Sequence, residues 1–441
     1  MLIEFKVANY RSIRAEQTLS MVASNYSDEL PQNLISCDHV PGLKGTKLVK
    51  AVALYGANAS GKSNIVAALR FFAEFVRDSA TKLQPGAPTG AQPFKLDPAC
   101  LTEPSKFEIT AVINGIRTLY GIEMTRERVT SEYLVAYPKG RPQVWFERDW
   151  DEGKGKYVWS KSSEHFKHDT ALHKKTRENA AFVSVAAQFE DRKARGIWDW
   201  FQNAFQFVHA LESRRKAAES LGRDQLRTCL IEALSVADLG ITDALLEKSK
   251  ADLDPKENAK VQKFREHFNR AMKELLGDAN SFMKEMEREE ALPTLRLVHR
   301  SKGGAIPMDF DFEESTGTRR FLALLCDSFQ DLNHDRVMIV DELEESLHPL
   351  LVRNFVARFA EDREQAKTAI SQLLFTTHNP LLLDQTLLRR DQIWFTEKDQ
   401  EGATRLYPLT DFKPRKDESL VKGYLAGRYG GIPFIPEGMK F

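Results

Sequence analysis

The sequence predicts an α/β fold in which a mixed sheet with flanking helices and an antiparallel β meander carry a helical insertion. Three observations predict this fold class. An apolar strand, a glycine-containing loop and an amphipathic helix follow one another in "KLVKAVALYGANASGKSNIVAALRFFAEFV". Four strand-like segments come next, namely "SKFEITAVI", "RTLYGIEMT", "SEYLVAYP" and "QVWFERD". Two further apolar strands, "VMIVDE" and "QLLFTTHNP", each end in polar residues.

Composition limits the class of protein. The chain has 441 residues, enough for two or three domains, and it is 42% hydrophobic and 29% charged, as in globular proteins with a sizeable core. The 63 basic and 63 acidic residues cancel, which argues against a protein that coats a polyanion. Four widely spaced cysteines form no C-x-x-C pair and are expected to be free thiols in a reducing cytoplasm: Cys37, Cys100, Cys229 and Cys326.

The N-terminus and the hydropathy pattern indicate where the protein works. The start "MLIEFKVANYRSIR" lacks the apolar core of a signal peptide. No run approaches the roughly 20 apolar residues that a membrane-spanning helix needs. We therefore expect a cytoplasmic protein with no membrane partner.

The order of the predicted elements suggests a split domain. The first segment, "LIEFKVANYRSI", alternates apolar and polar residues and predicts an edge strand followed by a turn. After the meander, helical spacing in "GIWDWFQNAFQFVHALESRRKAA" and "NAKVQKFREHFNRAMKELLGDANSFMKEMEREE" predicts a mainly helical insertion. We assign residues 1–150 and 295–441 to a discontinuous α/β domain, and residues 151–294 to the insertion, which offers a surface for a partner or for dimerisation.

The charge of the insertion is nearly balanced. Between Asp151 and Arg300 there are 27 Lys or Arg residues and 25 Asp or Glu residues. A strongly basic DNA clamp would require a clear excess of positive charge. The count therefore does not predict one.

The octapeptide "GANASGKS", from Gly56 to Ser63, fits the pattern G-x-x-x-x-G-K-[ST] between a strand and a helix. Gly56 and Gly61 allow the backbone to curl so that its N–H groups point at phosphate oxygens. Lys62 would bring a positive charge to the β- and γ-phosphates, and Ser63 would offer a hydroxyl to Mg²⁺. The alternative is an ordinary glycine turn at the start of a helix. We expect ATP and Mg²⁺ as cofactors.

The segment "VMIVDE" predicts a buried central strand that ends in two acids. Ligands of parallel sheets bind at the carboxyl ends of the strands, where Asp341 would emerge. Asp341 would hold the hydration shell of Mg²⁺, and Glu342 would polarise the attacking water. Apolar strands often end in Asp-Glu, so this motif alone is a weak signal. The phosphate loop in the same chain favours the functional interpretation.

The segment "LLFTTHNP" repeats this layout, with a polar end after an apolar strand. His378 would hydrogen-bond the γ-phosphate or the attacking water and so sense the phosphate. A lone histidine is usually structural. Its position at the end of a second buried strand favours the functional interpretation.

A hydroxyl-rich turn, "STGT", opens a further helical pattern. Ser315, Thr316, Gly317 and Thr318 are typical of a phosphate-binding turn at a helix N-terminus. Because the chain already has one complete phosphate loop, a second anion site makes sense if it serves a nucleotide held by another subunit. We therefore predict a head-to-tail homodimer that clamps two ATP molecules, and higher homo-oligomers can be built from such dimers.

In this order, "GANASGKSN", "ESTGTRR", "VDELEESLHP" and "TTHNP" resemble the motifs of ABC-superfamily ATPases, in particular those of the SMC/RecF/OLD-like branch. The "ESTGT" motif is typical of bacterial OLD-like anti-phage ATPases. The start "FKVANYRSI" and the end "GYLAGRYGGIPFI" are similar to RloA-like ATPases and, more loosely, to the AriA ATPases of PARIS anti-phage systems. The resemblance covers residues 1–150 and 295–441 and implies an ABC-type ATPase head.

The resemblance also implies roles for single residues. The catalytic residues would be Glu342, His378 and Lys62. The nucleotide would be bound by Gly56, Asn58, Gly61, Lys62, Ser63, Asn64, Tyr10 and Arg11, and across the dimer by Ser315 and Gly317. The metal shell would include Ser63, Asp341 and Gln92. Ser346 and His348 would belong to the loop that crosses the dimer interface.

Other groups of residues favour simpler interpretations. The histidines His165, His168 and His173 suit no common zinc site and favour a solvated basic face. An aromatic stripe favours packing, or docking of another chain, over base stacking, and it consists of Trp198, Trp200, Phe201, Phe205 and Phe207. No zinc-hook motif is present, and the segment after His378 is too short for a Toprim nuclease domain.

Effector chemistry would therefore come from a separate polypeptide. We expect an ATP-driven conformational switch in a two-component bacterial anti-phage or abortive-infection system. It would control a nuclease-like effector from the same operon and respond to a phage-encoded trigger. The alternative is a RecF- or SMC-like DNA-maintenance ATPase that acts on duplex DNA, against which the near-neutral charge counts. A third interpretation is a scaffold whose ATP is purely structural.

Overall fold

The computed structural model describes residues 1–25, 30–160, 170–208, 213–237, 240–247, 293–329, 335–360 and 371–433. The chain divides into two compact units. The first unit comprises Met1–Phe207, Leu332–Glu344 and His348–Phe441, and the second unit comprises Val208–Asp331 and Glu345–Leu347.

The boundaries of these units differ from the boundaries expected from the sequence. The sequence analysis assigned residues 1–150 and 295–441 to one domain and residues 151–294 to the insertion. Residues 170–207 belong to the first unit, and residues 293–329 belong to the second. As a statement about domains, the sequence boundaries stay a prediction.

The first sheet of the first unit contains the antiparallel meander. Its strands are β1 Leu2–Ala8, β2 Gln17–Ser20, β6 Ser105–Ile113, β7 Ile116–Met124, β8 Val129–Ala136, β9 Gln143–Asp151 and β10 Lys156–Trp159, and their order is β10-β9-β8-β7-β6-β1-β2. The predicted meander is confirmed, because β6 to β9 pair antiparallel in sequence order. The prediction that β1 is an edge strand is wrong, because β2 pairs along its outer side. Alternation reports which face is buried and does not report how many neighbours a strand has.

The second sheet of the first unit is mostly parallel. Its strands are β5 Ala51–Gly56, β11 Phe205–Phe207, β15 Arg336–Val340, β16 Ser371–Thr376, β17 Ile393–Lys398 and β18 Thr404–Pro408, in the order β11-β15-β16-β5-β17-β18. Only β18 pairs antiparallel. Every residue of β5 is buried, as expected of a central parallel strand with neighbours on both sides. A separate pair consists of β3 Leu34–Ser36 and β4 Lys47–Val49.

The described helices are α1 Lys62–Asp78, α2 Ala171–Lys175, α3 Phe182–Gln188, α4 Arg192–Ala204, α5 Ser213–Leu221, α6 Asp224–Val236, α7 Thr316–Phe329, α8 Pro349–Ala360 and α9 Leu420–Leu425. In the first unit, α1 contacts both β1 and β5 and so lies between the two sheets. Its apolar side chains recur three and four residues apart and are buried: Ile65, Val66, Leu69, Phe72 and Val76. No helix among the described residues is long and apolar enough to cross a bilayer.

The helix predicted to carry the whole aromatic stripe is shorter than expected. The stripe was expected to run along a single helix, but α4 ends at Ala204 and Phe205–Phe207 form β11, which pairs parallel with β15. Phe201 is buried in the core of the first unit, and Trp198 Nε1 donates to the Arg77 carbonyl at 2.9 Å. The pairing partner of β11, more than a hundred residues away, determines its conformation, and local spacing cannot show that.

In the second unit, α5, α6 and α7 pack against one another, and α5 and α6 contact an antiparallel sheet. Its strands are β12 Ile241–Glu247, β13 Thr294–Ser301 and β14 Gly304–Asp309, in the order β12-β13-β14. A partly buried ion pair joins α5 to α7, with Lys216 Nζ 3.1 Å from an Asp327 carboxylate oxygen. The strand β12 lies inside the region predicted to be mainly helical. Its buried side chains, Ile241 and Ala244, are three residues apart, and a register shift between Ile241 and Asp243 interrupts the alternation that would mark a strand. The helices predicted over residues 258–290 lie outside the described residues, as do His165 and His168.

Candidate nucleotide-binding site

The phosphate loop between β5 and α1 contains two glycines that have no room for a side chain. Gly61 has a φ of 110°, in the left-handed region that favours glycine. A Cβ atom on Gly61 would lie 2.1 Å from Thr404 Oγ1, and one on Gly56 would lie 2.5 Å from Ser60 Oγ. Asn58 lies at the exposed tip of the loop. The loop is therefore closely packed at its two glycines and exposed at Asn58.

The C-terminal segment closes one side of the same loop. Gly431 has a φ of 66°, and a Cβ atom there would lie 3.5 Å from the Cα of Gly56. The Tyr424 hydroxyl donates to the Gly431 carbonyl at 3.2 Å, and the Tyr424 ring packs edge-on against Tyr55 of β5. The position of this C-terminal segment was not predicted, because no local sequence pattern indicates that it returns to the phosphate loop.

Lys62 begins α1, and its side chain turns back over the loop. Its Nζ donates to the carbonyls of Gly56 at 2.8 Å and Ala57 at 3.1 Å, and the residue is 5% exposed. Burial lowers the pKa of Lys62, and nearby carboxylates, Asp341 foremost, oppose that shift. The ammonium therefore rests on neutral acceptors. Anionic phosphate oxygens would accept stronger, charge-assisted hydrogen bonds from it.

Ser63 and Asp341 meet at the carboxyl edge of the second sheet. Ser63 Oγ donates to Asp341 Oδ1 at 3.2 Å, and Thr376 Oγ1 donates to the same oxygen at 2.6 Å. Hydroxyl and carboxylate oxygens are the ligands that Mg²⁺ prefers. Of the predicted metal ligands, Ser63 and Asp341 therefore lie together at this place and offer oxygen atoms that suit Mg²⁺, with Thr376 orienting the carboxylate.

Glu342 follows Asp341 with an exposed side chain and a left-handed φ of 51°. That conformation is uncommon for residues other than glycine and persists where neighbouring contacts hold it. Here the Glu342 N–H donates to Thr376 Oγ1 at 2.7 Å, and the Leu343 N–H donates to the Thr376 carbonyl at 3.1 Å. These bonds fix the backbone from which the Glu342 carboxylate extends, at an edge that water can reach.

His378 follows β16 and is half-buried. Burial lowers the pKa of its imidazole, the charge of Lys62 lowers it further, and Glu344 and a hydrogen bond to the Gly56 backbone oppose the shift. Its backbone N–H donates to a carboxylate oxygen of Glu344. A lowered pKa keeps the ring neutral at pH 7, and a neutral imidazole has one donor and one acceptor nitrogen.

The N-terminal turn after β1 reaches the phosphate loop through Ser12. Ser12 Oγ accepts a hydrogen bond from Asn64 Nδ2 at 2.6 Å, and the Arg11 N–H donates to the Gln92 carbonyl at 2.7 Å. Arg11 and Gln92 have exposed side chains. Tyr10 is 2% exposed, with its ring packed among core phenylalanines, so packing is the role that its surroundings explain.

The hydroxyl-rich turn at the start of α7 lies in the second unit. Ser315 Oγ accepts a hydrogen bond from the Thr318 N–H at 3.0 Å, which caps the helix. A Cβ atom on Gly317 would lie 2.5 Å from the Ser346 carbonyl oxygen, and Ser346 has a φ of 59°. The predicted helix start is confirmed. The contact of this turn with a partner's nucleotide stays a prediction.

The predicted site residues divide between the two units. Those in the first unit are Tyr10, Arg11, Gly56, Asn58, Gly61, Lys62, Ser63, Asn64, Gln92, Asp341, Glu342, His348 and His378, and those in the second are Ser315, Gly317 and Ser346. Sequence reasoning missed the supporting residues Ser12, Thr376 and Glu344. All three stand in motifs quoted from the sequence, Ser12 in "FKVANYRSI", Thr376 in "TTHNP" and Glu344 in "VDELEESLHP".

A known protein family matches most of this chain. The family model described as "AAA domain, putative AbiEii toxin, Type IV TA system" matches residues 51–384, which is more than half of the chain. A search of curated proteins finds no match. The matched span begins with β5 and includes the phosphate loop, Asp341, Glu342 and His378. The chain therefore belongs to this AAA-domain family of P-loop ATPases, with the α/β fold that the family implies.

Proposed function

We propose that this protein binds and hydrolyses ATP and uses the nucleotide as a conformational switch. The observation that carries the proposal is the hydrogen-bonded group of Ser63, Asp341 and Thr376 beside Lys62 and Glu342, at the carboxyl edge of one parallel sheet. A purely structural nucleotide site would not need an exposed acid beside the metal-binding carboxylate.

Each residue has a chemical task in this proposal. Lys62 and the loop N–H groups hold the β- and γ-phosphates, and Ser63 and Asp341 hold Mg²⁺, with Gln92 as a further ligand. When bound, Mg²⁺ supplies positive charge to the phosphate oxygens. Glu342 accepts a proton from the attacking water. The neutral imidazole of His378 hydrogen-bonds the γ-phosphate.

The finer assignment is an ABC-type head that works as a homodimer. Ser315 and Gly317 of one subunit would contact the γ-phosphate held by Lys62 of the other, with Ser346 and His348 in the crossing loop. The capped turn at the start of α7 supports this, because its hydroxyl groups and N–H groups stand at a helix N-terminus. Tyr10, Arg11, Asn58 and Asn64 would complete the nucleotide contacts.

The biological setting follows from the same resemblance. We propose a sensor subunit, RloA-like or more loosely AriA-like, of a two-component anti-phage or abortive-infection system. It would hold or release a separate nuclease-like effector when a phage-encoded trigger arrives. The description of the matched family, which names a toxin and a toxin–antitoxin system, supports this setting.

The test uses Glu342→Gln with Lys62→Ala as its control. Glu342→Gln should bind ATP, hydrolyse it on the order of 10²-fold more slowly because the general base is lost, and accumulate as closed dimers or larger assemblies. Light scattering with and without ATP, together with phosphate release, measures both effects. Lys62→Ala should abolish hydrolysis, and turnover that survives it would place the reaction elsewhere.

Three further outcomes would separate the proposal from its alternatives. Only monomers in the presence of ATP would contradict the sandwich. Salt-sensitive binding of duplex DNA that stimulates turnover would favour a DNA-maintenance ATPase. Multiple turnover by the wild type would exclude the scaffold interpretation.

A further inference from the structure

A third carboxylate, Glu344, lies beside the candidate site and has no task in the mechanism above. It follows Glu342 by two residues and belongs to the first unit together with β5, α1 and β16. Unlike the exposed Glu342, its side chain is partly buried. A partly buried acid that is not a metal ligand needs a structural or chemical reason.

The two oxygens of Glu344 have different surroundings. One oxygen accepts the backbone N–H of His378. The other is buried and has no hydrogen-bond partner within the described part of the chain. Glu344 is one of the carboxylates that raise the pKa values of Lys62 and His378 against the effect of burial.

The bond to His378 restrains a segment that has just left its sheet. The preceding N–H, that of Thr377, donates to the Leu54 carbonyl of β5 at 3.0 Å, and the following residue, Asn379, accepts the Tyr55 hydroxyl of the same strand at 3.3 Å. The Asn379 side chain then accepts from the Leu381 N–H at 3.0 Å and starts a new turn. The His378 N–H lies between these two anchors, and the Glu344 carboxylate is the acceptor that holds it.

We propose that Glu344 is a positioning residue that fixes the backbone of His378, and thereby places the imidazole over the phosphate loop at the γ-phosphate. This inference rests on the proposed ATPase function. The ring extends from the very residue whose N–H is held, so a change at Glu344 displaces it. A displacement of about 1 Å in a reacting geometry can cost on the order of 10²-fold in rate.

The experiment compares Glu344→Ala with Glu344→Gln. Alanine removes the acceptor, whereas the glutamine amide oxygen still accepts the His378 N–H. Glu344→Ala should lower kcat at least tenfold and leave the Kd for ATP within about threefold of wild type, because Lys62 and the loop still bind phosphate. Glu344→Gln should recover kcat to within about threefold.

A matched control separates this effect from the general effect of removing a carboxylate that accepts a backbone N–H. Asp38 also holds a backbone N–H, that of Gly45 at 2.7 Å, in an exposed turn of the first unit. Asp38→Ala should leave kcat and Kd unchanged. Hydrogen exchange gives a second readout, in which a peptide covering residues 373–383 should exchange faster in Glu344→Ala and at the wild-type rate in Glu344→Gln.

The outcomes are distinguishable from failure of the proposed function. If the wild type shows no turnover that Lys62→Ala abolishes, the ATPase proposal is wrong. If it does turn over and Glu344→Ala keeps kcat within twofold, or Glu344→Gln loses as much as alanine, the positioning role is overturned. Should Glu344→Ala not fold, Glu344→Asp replaces it. The Glu344→Asp side chain is one methylene shorter, so this variant should lose kcat while Glu344→Gln retains it. Equal activities of these two variants would overturn the proposal.

Discussion

At the scale of a residue, Gly317 shows how one missing side chain shapes the turn at the start of α7. The Ser346 carbonyl approaches so closely that a Cβ atom would lie 2.5 Å from it, well inside any normal contact. Backbone atoms cannot yield as the end of a flexible side chain can. The segment Glu345–Leu347 and the capped turn therefore depend on glycine at this position.

Gly317→Ala should displace one of these two segments and lower the free energy of unfolding by about 1–3 kcal/mol through overpacking. It should also lower ATP turnover if the turn serves a nucleotide. Gly303→Ala is the control, because a Cβ atom at Gly303 meets nothing within 4 Å. Thermal unfolding and phosphate release measure both variants, and equal behaviour of the two would show that the crowding does not matter.

At the scale of an element, a buried ion pair ties β8 and β9 to the start of α3. Glu132 and Arg148 are fully buried, with 2.6 Å between Arg148 Nη2 and Glu132 Oε2. Glu132 also accepts the Phe182 N–H at 2.8 Å and the Tyr120 hydroxyl at 2.8 Å. One carboxylate therefore joins three strands of the meander, β7, β8 and β9, to a helix of the region that the sequence analysis had assigned to the insertion.

Glu132→Gln should destabilise the first unit by about 3–5 kcal/mol, because it leaves the Arg148 charge buried without its partner. Urea unfolding followed by tryptophan fluorescence gives the value. Glu123→Gln on β7 is the control. Its 2.8 Å pair with Lys106 is partly exposed, so we expect a loss of less than about 1 kcal/mol. Similar losses in the two variants would contradict a special role for the buried pair.

Local patterns in the sequence predicted the elements whose reasons are local. The glycine loop, the amphipathic α1 and the buried strand before Asp341 each have a local sequence pattern: a fixed spacing of glycines, a helical period and a continuous apolar run. Long-range pairing explains what was missed. β11 exists because β15 lies beside it, β1 is internal because β2 returns to it, and Glu344 matters because β16 ends next to it.

At the scale of the whole molecule, the proposed sandwich predicts complementation between two inactive variants. Lys62→Ala lacks the lysine but keeps Ser315, and Ser315→Ala has the opposite defect. A mixed dimer contains one composite site in which both residues are intact. Equal mixing should restore roughly a quarter of the wild-type ATP turnover, since half of the dimers are mixed and each has one working site of two.

The control for this experiment mixes Lys62→Ala with the double variant Lys62→Ala/Ser315→Ala, a pair that can form no intact composite site. Phosphate release from this mixture should stay at background. No recovery in the first mixture, despite dimers seen by light scattering, would show that Lys62 and Ser315 do not act on the same nucleotide.

Gly431 lies so near the phosphate loop that a Cβ atom on it would be 3.5 Å from the Cα of Gly56, which brings the end of the described chain beside the proposed nucleotide site. Thermodynamic linkage makes such a contact work in both directions. A nucleotide that orders the phosphate loop would also order the C-terminal segment around Gly431. A protein that binds this segment would in turn change the affinity of the loop for the nucleotide. A docking partner would therefore not need to touch the nucleotide in order to alter its affinity.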